Sequence, residues 1–123
     1  MIEKKGNTTE ELVKSLLEGL QENKAIDIVK IDLRNIESSV CKYFLICHGT
    51  STTHVNGIAA SAEEYVRKKI KEKPWRFEGQ QNSQWILLDY ADVVVHVFQK
   101  NYRDFYQLES LWADATVSKI QNA

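Results

Sequence analysis

The sequence has little of several features that would place it in a specialised class of protein. Its 123 residues include one proline and two cysteines, too few for a disulfide framework, and neither Cys41 nor Cys47 sits in a CxxC motif. No apolar run approaches the roughly 20 residues of a membrane span. The 16 basic and 17 acidic residues nearly cancel, so overall charge does not favour nucleic acid as a partner. Because the N-terminus lacks signal and transit patterns, a reducing cytoplasm is the expected location.

The hydrophobic patterning that is present predicts one domain of mixed secondary structure. Its elements follow the order α-β-β-α-β-β-β-α. This order predicts an α/β (α+β) fold, in which a single mixed sheet of about five strands is flanked by helices. Residues 1–7 are expected to be a flexible N-terminus, 8–115 the folded domain and 116–123 a C-terminal tail.

The first two thirds of the chain contain clear signals for individual elements. Thr8 and Glu11 have capping-box spacing and predict a helix at 8–22. In the strand at 26–33 the alternation slips at Ile28-Val29, which predicts a bulge or burial on both faces. Further predicted elements are a central strand at 43–47, a helix over about 55–72 closed by Pro74, and a short strand at 75–78.

Residues 85–112 predict a β-hairpin followed by a helix. Two apolar runs flank an Asp-rich corner at 89–92. On the second strand His96 lies on the opposite face from its valine neighbours Val95 and Val97. The helical spacing that follows predicts that Phe105, Leu108 and Leu111 face the sheet, beside a line formed by Tyr102, Tyr106 and Glu109. The pattern leaves open which face of the hairpin is outward.

Two places could hold catalytic chemistry. The segment His48-Gly49-Thr50-Ser51 precedes a helix, where free backbone N–H groups attract anions, and it resembles the Gly-Ser turn of nucleotidyltransferases. Those enzymes need two carboxylates one residue apart soon afterwards, and none follows. Ordinary helix capping explains the turn better. Asp89 and Asp92 could form an acid/base or metal pair, but bonding to turn amides is the more common role at a hairpin corner.

A zinc site is the third chemical possibility. His48, His54 and His96 with Cys47 supply ligand types, but their spacing matches no zinc signature. Packing and hydrogen bonding are the better interpretation. No cofactor is expected.

The end of the second helix carries a basic cluster that includes Arg67, Lys68 and Lys71. Cations there complement the helix dipole, so a solvated face is the simplest interpretation. Direct contact with an RNA backbone is the alternative, and it would depend steeply on salt.

The hairpin and its helix hold more large aromatic side chains than one inner face needs. A sheet face with Trp, Tyr and Phe and a few charges suits a protein-binding surface. A second core layer under the N-terminal helix explains the same residues equally well.

Several ordered motifs make the sequence closely similar to the ribosomal silencing factor family, also called Iojap. They are GTSTTHVNGIA at 49–59, EG at 78–79, WILLD at 85–89, DVVVHVF at 92–98 and RxFYxLExLWxDA at 103–115. In one departure, Ala91 stands where the family corner Asp-x-Gly-Asp has glycine. If that position requires a positive φ, alanine costs about 1 kcal/mol there.

The resemblance implies a translational repressor that is not an enzyme. Family members bind the large ribosomal subunit through large-subunit ribosomal protein fourteen and block joining of the small subunit. The implied fold is nucleotidyltransferase-like without the active site, and the implied free state is a homodimer. Matching positions give the expected contact residues Trp85, Tyr90, Asp92, His96, Arg103 and Tyr106.

Overall fold

The computed structural model describes residues 6–37, 39–112 and 114–121, except for the side chains of Leu111 and Trp112. Its elements are α1 (Thr9–Glu22), β1 (Ile26–Asp32), β2 (Tyr43–Gly49), α2 (Thr52–Ile70), β3 (Arg76–Glu78), β4 (Trp85–Asp89), β5 (Val93–Gln99), α3 (Lys100–Tyr106), a 3₁₀ helix (Leu108–Trp112) and β6 (Thr116–Lys119). The predicted α+β class and element order are confirmed. Among the described residues, no helix has both the length and the apolar character needed to cross a bilayer.

All six strands form one sheet in the order β3-β4-β5-β2-β1-β6. The central pair, β2 and β5, is parallel, and the other pairs are antiparallel. The prediction of about five strands missed β6, which pairs with β1 at the edge of the sheet. Its four residues are mostly exposed, and a short exposed edge strand has no clear hydrophobic period.

The local signals at the starts of α1 and β1 are confirmed. The Thr8 side chain accepts from the Glu11 amide while the Glu11 side chain accepts from the Thr8 amide, so the capping box is complete. The predicted bulge appears as a register shift between Ile26 and Val29. Asp27, with φ of 51°, is the residue in the left-handed region there.

Helices α1 and α2 pack side by side on one face of the sheet. The core between them contains the inward side chains of α1 and α2 together with one face of each central strand, including Leu16, Ile58, Leu45, Val95 and Leu88. The opposite face has its own apolar cluster, which includes Ile46, Val94, Phe98 and the partly buried Trp85. The sheet therefore has helices on one side and the face with His96 on the other.

The predicted helix across 102–112 is wrong in one respect. α3 ends at Tyr106 because Gln107 adopts a left-handed conformation with φ of 47°, and a 3₁₀ turn follows. Within α3, Phe105 points outward and is 79% exposed instead of facing the sheet. Leu108 does pack against the sheet face. The predicted placement of the Leu111 side chain lies outside the described residues.

The hairpin corner contains the strained position that the sequence indicated. Ala91 has φ of 74°, and its amide donates to Asp89 Oδ1 at 2.8 Å, which confirms the predicted turn bond of Asp89. Asp92 has a different role, because its carboxylate accepts from the Thr9 hydroxyl at 3.1 Å. The corner is thus tied to the first turn of α1.

Replacing Ala91 with glycine should raise the free energy of unfolding by up to about 1 kcal/mol, because glycine removes the steric cost of a left-handed Cβ. Urea denaturation of parent and variant at constant m-value would measure the change. Lower stability of the variant would contradict the expectation. Ala60→Gly is the control of opposite sign, because glycine in the middle of α2 should lower the free energy of unfolding.

Candidate functional site

The sheet face opposite α1 and α2, here called the aromatic face, is formed by residues that share one side of β2, β4 and β5 and by the end of α3. Its members are Phe44, Trp85, Leu87, His96, Phe98 and Tyr106. Period-2 alternation explains the grouping, since Leu87 is opposite His96 and Trp85 opposite Phe98 in the β4–β5 ladder. The question of which hairpin face is outward is therefore answered: it is the face with His96.

Trp85 is the centre of this face. Its ring centroid lies 4.8 Å from that of the fully buried Phe98 and 5.0 Å from that of Tyr106. Tyr106 is 49% exposed and meets Phe105 edge-on at 5.1 Å. The aromatic side chains thus extend from the fully buried Phe98 to the half-exposed Tyr106. This arrangement suits contact with an apolar partner, because neighbouring rings already hold the exposed rings in place.

His96 fixes the orientation of Trp85. The indole Nε1–H donates to His96 Nδ1 at 3.0 Å, so the imidazole proton is on Nε2. His96 is buried, and burial lowers its pKa to about 4 while the nearby Asp89 carboxylate opposes the shift. His96 Nε2 has no hydrogen-bond partner among the described residues. The ring is therefore a neutral acceptor that holds the tryptophan in place.

Arg103 has a structural position behind the aromatic face. Its guanidinium donates to Glu109 Oε2 at 2.8 and 3.2 Å and to the carbonyl of Ile26 at 3.4 Å. It also lies 2.9 Å from His48 Nδ1. Burial, and next the Arg103 charge, lower the pKa of His48. Because Arg103 is only 8% exposed, it positions α3 and the 3₁₀ turn and offers little surface to a partner.

Tyr90 does not belong to the aromatic face. It is 4% exposed and belongs to the core on the helix side of the sheet, where burial raises the pKa of its hydroxyl. As the next residue after Asp89 it turns away from the Trp85 side. The expectation that Tyr90 is a surface anchor is corrected, because truncating it would primarily remove core packing.

Asp92 lies at the hairpin corner, beyond the edge of the aromatic face. Its carboxylate is about half exposed and lies 3.7 Å from the Lys42 ammonium. Of the expected contact residues, the fold brings Trp85, His96 and Tyr106 together on one surface. Asp92 lies at its periphery and Arg103 beneath it. Sequence reasoning missed the His48–Arg103–Glu109 network, since it depends on the left-handed turn at Gln107.

The two candidate catalytic elements lie at opposite ends of the sheet. Gly49 pairs with Gln99, whereas the Asp89–Asp92 corner adjoins Val93, which pairs with Tyr43. Six residue steps along β5 correspond to about 20 Å. The hypothesis of a nucleotide site that combines the HGTS turn with Asp89 and Asp92 is therefore wrong.

The HGTS turn also has its own partners. Ser51 caps α2 by accepting from the His54 amide at 3.0 Å, and the Thr50 amide donates to His54 Nδ1 at 3.0 Å. The interpretation as ordinary capping is confirmed. His54 Nε2 lies 2.9 Å from the Asn23 carbonyl, so both ring nitrogens of His54 are engaged in structure.

A cleft of about 550 Å³ opens at the carboxyl ends of β2 and β5, where α/β proteins often bind ligands. Two of its cations are already paired, Lys100 with Asp104 at 2.8 Å and Arg103 with Glu109 at 2.8 Å. Within the described ranges, no group of three or more His, Cys, Asp or Glu side chains is placed to hold a metal ion. Burial raises the pKa of Cys47 to about 12, which makes that thiol a poor ligand or nucleophile.

The basic cluster is largely neutralised along α2. Arg67 pairs with Glu63 at 3.2 Å and Lys68 with Glu64 at 2.8 Å, both at i,i+4 spacing. Lys71 is exposed and ends the helix in a left-handed conformation with φ of 62°. Of the three residues proposed for RNA contact, Lys71 is the one without an ion pair in the described part of the chain.

Comparison with known proteins gives a consistent result. Residues 6–123 match the family model described as ribosomal silencing factor during starvation. A ribosomal silencing factor of Bacillus subtilis is 41% identical over 100 residues, covering 80% of this chain and 82% of the relative. One from Halalkalibacterium halodurans is 35% identical over 114 residues, covering 93% and 96%. A crystal structure from Chromobacterium violaceum superposes with a TM-score of 0.82 at 28% identity, covering 95% of this chain and 97% of that one.

Proposed function

Because the chain belongs to the ribosomal silencing factor family, we propose that it represses translation by binding the large ribosomal subunit and blocking its association with the small subunit. The contact is made with large-subunit ribosomal protein fourteen. The action is steric and not enzymatic, since a bound body of 14.2 kDa on the joining surface is sufficient to exclude the other subunit. It takes place in the cytoplasm, and the free protein is a homodimer.

The observation that carries this proposal is the aromatic face. Trp85 and Tyr106 present ring surface that is partly buried and held by neighbouring rings, which lowers the entropy lost when a partner orders them. Asp92 contributes a peripheral charge, which affects the association rate more than the final affinity. His96 and Arg103 act from beneath the surface as positioning residues.

The charged border of the aromatic face supports a protein partner. Arg76 lies 3.6 Å from both Asp89 and Glu78, and this side of β3 adjoins Leu87 through the Glu78–Leu87 pair. An apolar centre with a polar rim of both signs is the usual anatomy of a protein–protein interface. It lacks the single positive sign that RNA backbone binding requires.

Subunit joining with purified components tests the function. Added to large subunits before small subunits, the protein should reduce the joined particle on a sucrose gradient and should co-sediment with the large subunit. Added after joining, it should have less effect, because its surface is then covered. An unchanged profile when a several-fold molar excess of protein is added before the small subunits would contradict the proposal.

A further inference from the structure

The segment that links α2 to β3 presents an exposed tryptophan beside two exposed lysines. Trp75 is 82% exposed, whereas Trp85 is partly buried among other rings. Exposure alternates along the segment, so that Lys71, Lys73 and Trp75 are exposed while Glu72 and Pro74 are partly buried. A solvent-facing indole among cations has no role in the core, and this combination requires an explanation.

The backbone of the segment is held in place. The Trp75 amide donates to the Asp89 carbonyl at 2.7 Å, in the bend just before β3. Pro74 restricts the chain just before it. Glu72 accepts from the Asn7 side chain at 3.2 Å. The backbone at Trp75 is therefore bonded to β4, and little backbone entropy is lost when its ring is covered.

The segment is separate from the aromatic face. Trp75 lies in the bend before β3 and, among the described residues, has no ring contact with the aromatic face, whose rings contact Trp85. Lys73 is two residues away, with Cα atoms at most about 7 Å apart. Neither Lys71 nor Lys73 forms an ion pair with any residue that the structure describes.

From this arrangement we infer that Lys71, Lys73 and Trp75 form a contact for single-stranded RNA, in which the Trp75 ring stacks on an unpaired base and the two lysines contact phosphates. Stacking on an aromatic ring combined with backbone neutralisation is how proteins hold unpaired strands. A protein partner fits less well, because lysines, unlike arginines, are depleted from protein interfaces. The inference rests on the proposed function, since a protein bound to a ribosomal subunit lies beside unpaired RNA loops.

Fluorescence anisotropy with a labelled oligoadenylate of about ten nucleotides tests the contact directly. Trp75→Ala should weaken binding roughly five- to hundredfold, while Trp75→Phe, which keeps a stacking ring, should retain most of the affinity. Lys71→Gln/Lys73→Gln should reduce the magnitude of the slope of log affinity against log salt by about 1.4. Lys14→Gln/Lys24→Gln, which removes the same charge from exposed positions of α1 and its end, should leave the slope unchanged.

A second measurement uses whole large subunits and isolated ribosomal protein fourteen. Trp75→Ala should bind the subunit more weakly than the parent does and bind the isolated protein equally well. Equal affinity of parent and Trp75→Ala for the oligonucleotide would overturn the inference. So would a loss of affinity for the isolated protein, which would make Trp75 a protein contact. If the parent fails to bind large subunits, the proposed function fails, and the oligonucleotide measurement still decides the RNA contact.

Discussion

Replacing Trp85 with alanine is expected to weaken binding to isolated ribosomal protein fourteen, and to large subunits, by about 2 kcal/mol or more, which is roughly thirtyfold. The physical reason is the position of the ring. It covers Phe98, contacts Tyr106 and donates to His96, so its removal deletes the central anchor and leaves a concave gap where a partner would make contact.

The chain provides a matched control for this change. Trp75→Ala removes the same type of side chain from the bend before β3, outside the aromatic face, and should leave binding to the isolated ribosomal protein unchanged. Circular dichroism must show that both variants are folded, because Trp85 also packs on the core. If Trp85→Ala binds like the parent while remaining folded, the aromatic face is not the docking surface.

A conservative series separates the contact of Trp85 from its orientation. Trp85→Phe keeps an aromatic ring but loses the Nε1–H donor to His96, and an intermediate loss of affinity is expected. His96→Leu removes the acceptor and keeps the indole, so its effect measures the contribution of orientation alone. Equal losses of affinity in Trp85→Phe and His96→Leu would show that the missing hydrogen bond, and not the smaller ring, accounts for the effect of Trp85→Phe.

Acidification should destabilise the fold through His96, by about 3 kcal/mol at most. Burial lowers the pKa of His96 to about 4, below the ordinary value near 6.5 of the unfolded chain. The unfolded state therefore binds the proton first as the pH falls. The stabilising contribution of neutral His96 is fully present above about pH 6.5 and is lost progressively between about 6.5 and 4.

Denaturant unfolding at several pH values measures this effect. The parent should lose stability across that window, and His96→Leu should show a flatter profile, even if the variant is less stable at neutral pH. His48 contributes in the same direction, since its pKa is also lowered, so the variant profile should retain a smaller slope. Titration of the His96 ring near pH 6.5 by NMR would contradict the structural assignment of a neutral, buried acceptor.

Protonation of His96 also has a consequence for binding. A proton on Nδ1 removes the acceptor for the Trp85 indole, so the anchor would lose its fixed orientation at acidic pH. The folded protein should therefore lose affinity only near pH 4, where His96 of the folded state takes up its proton, whereas stability is lost from about pH 6.5 downward.

Much of the architecture could be predicted from the sequence because the signals are local. The capping box of Thr8 and Glu11, the slipped alternation before Val29 and the Asp-rich corner each act within a few residues. The family motifs likewise identified the stretch from Trp85 to Tyr106 in which the aromatic face is formed. The positive φ of Ala91 followed from a single departure from the family pattern.

Other features depended on contacts between distant residues. β6 forms because β1 offers an unpaired edge, and its own short sequence carries no comparable signal. The left-handed turn at Gln107 ends α3 and accompanies the bonds of Arg103 to Glu109, six residues later, and to His48 at the end of β2. Helical periodicity cannot indicate such a break. It also predicted that Phe105 faces the sheet, whereas this side chain is 79% exposed.

The sequence by itself determined most of the elements, their order and the family, because periodicity, caps and turn residues act within short segments. Only the tertiary structure decided which side of the hairpin is exposed. Alternation divides Trp85 and His96 from Ile86 and Val95 on either strand, yet both sets are apolar enough to be buried. The two helices cover the set with Ile86 and Val95, and this packing leaves Trp85 partly exposed and buries Tyr90.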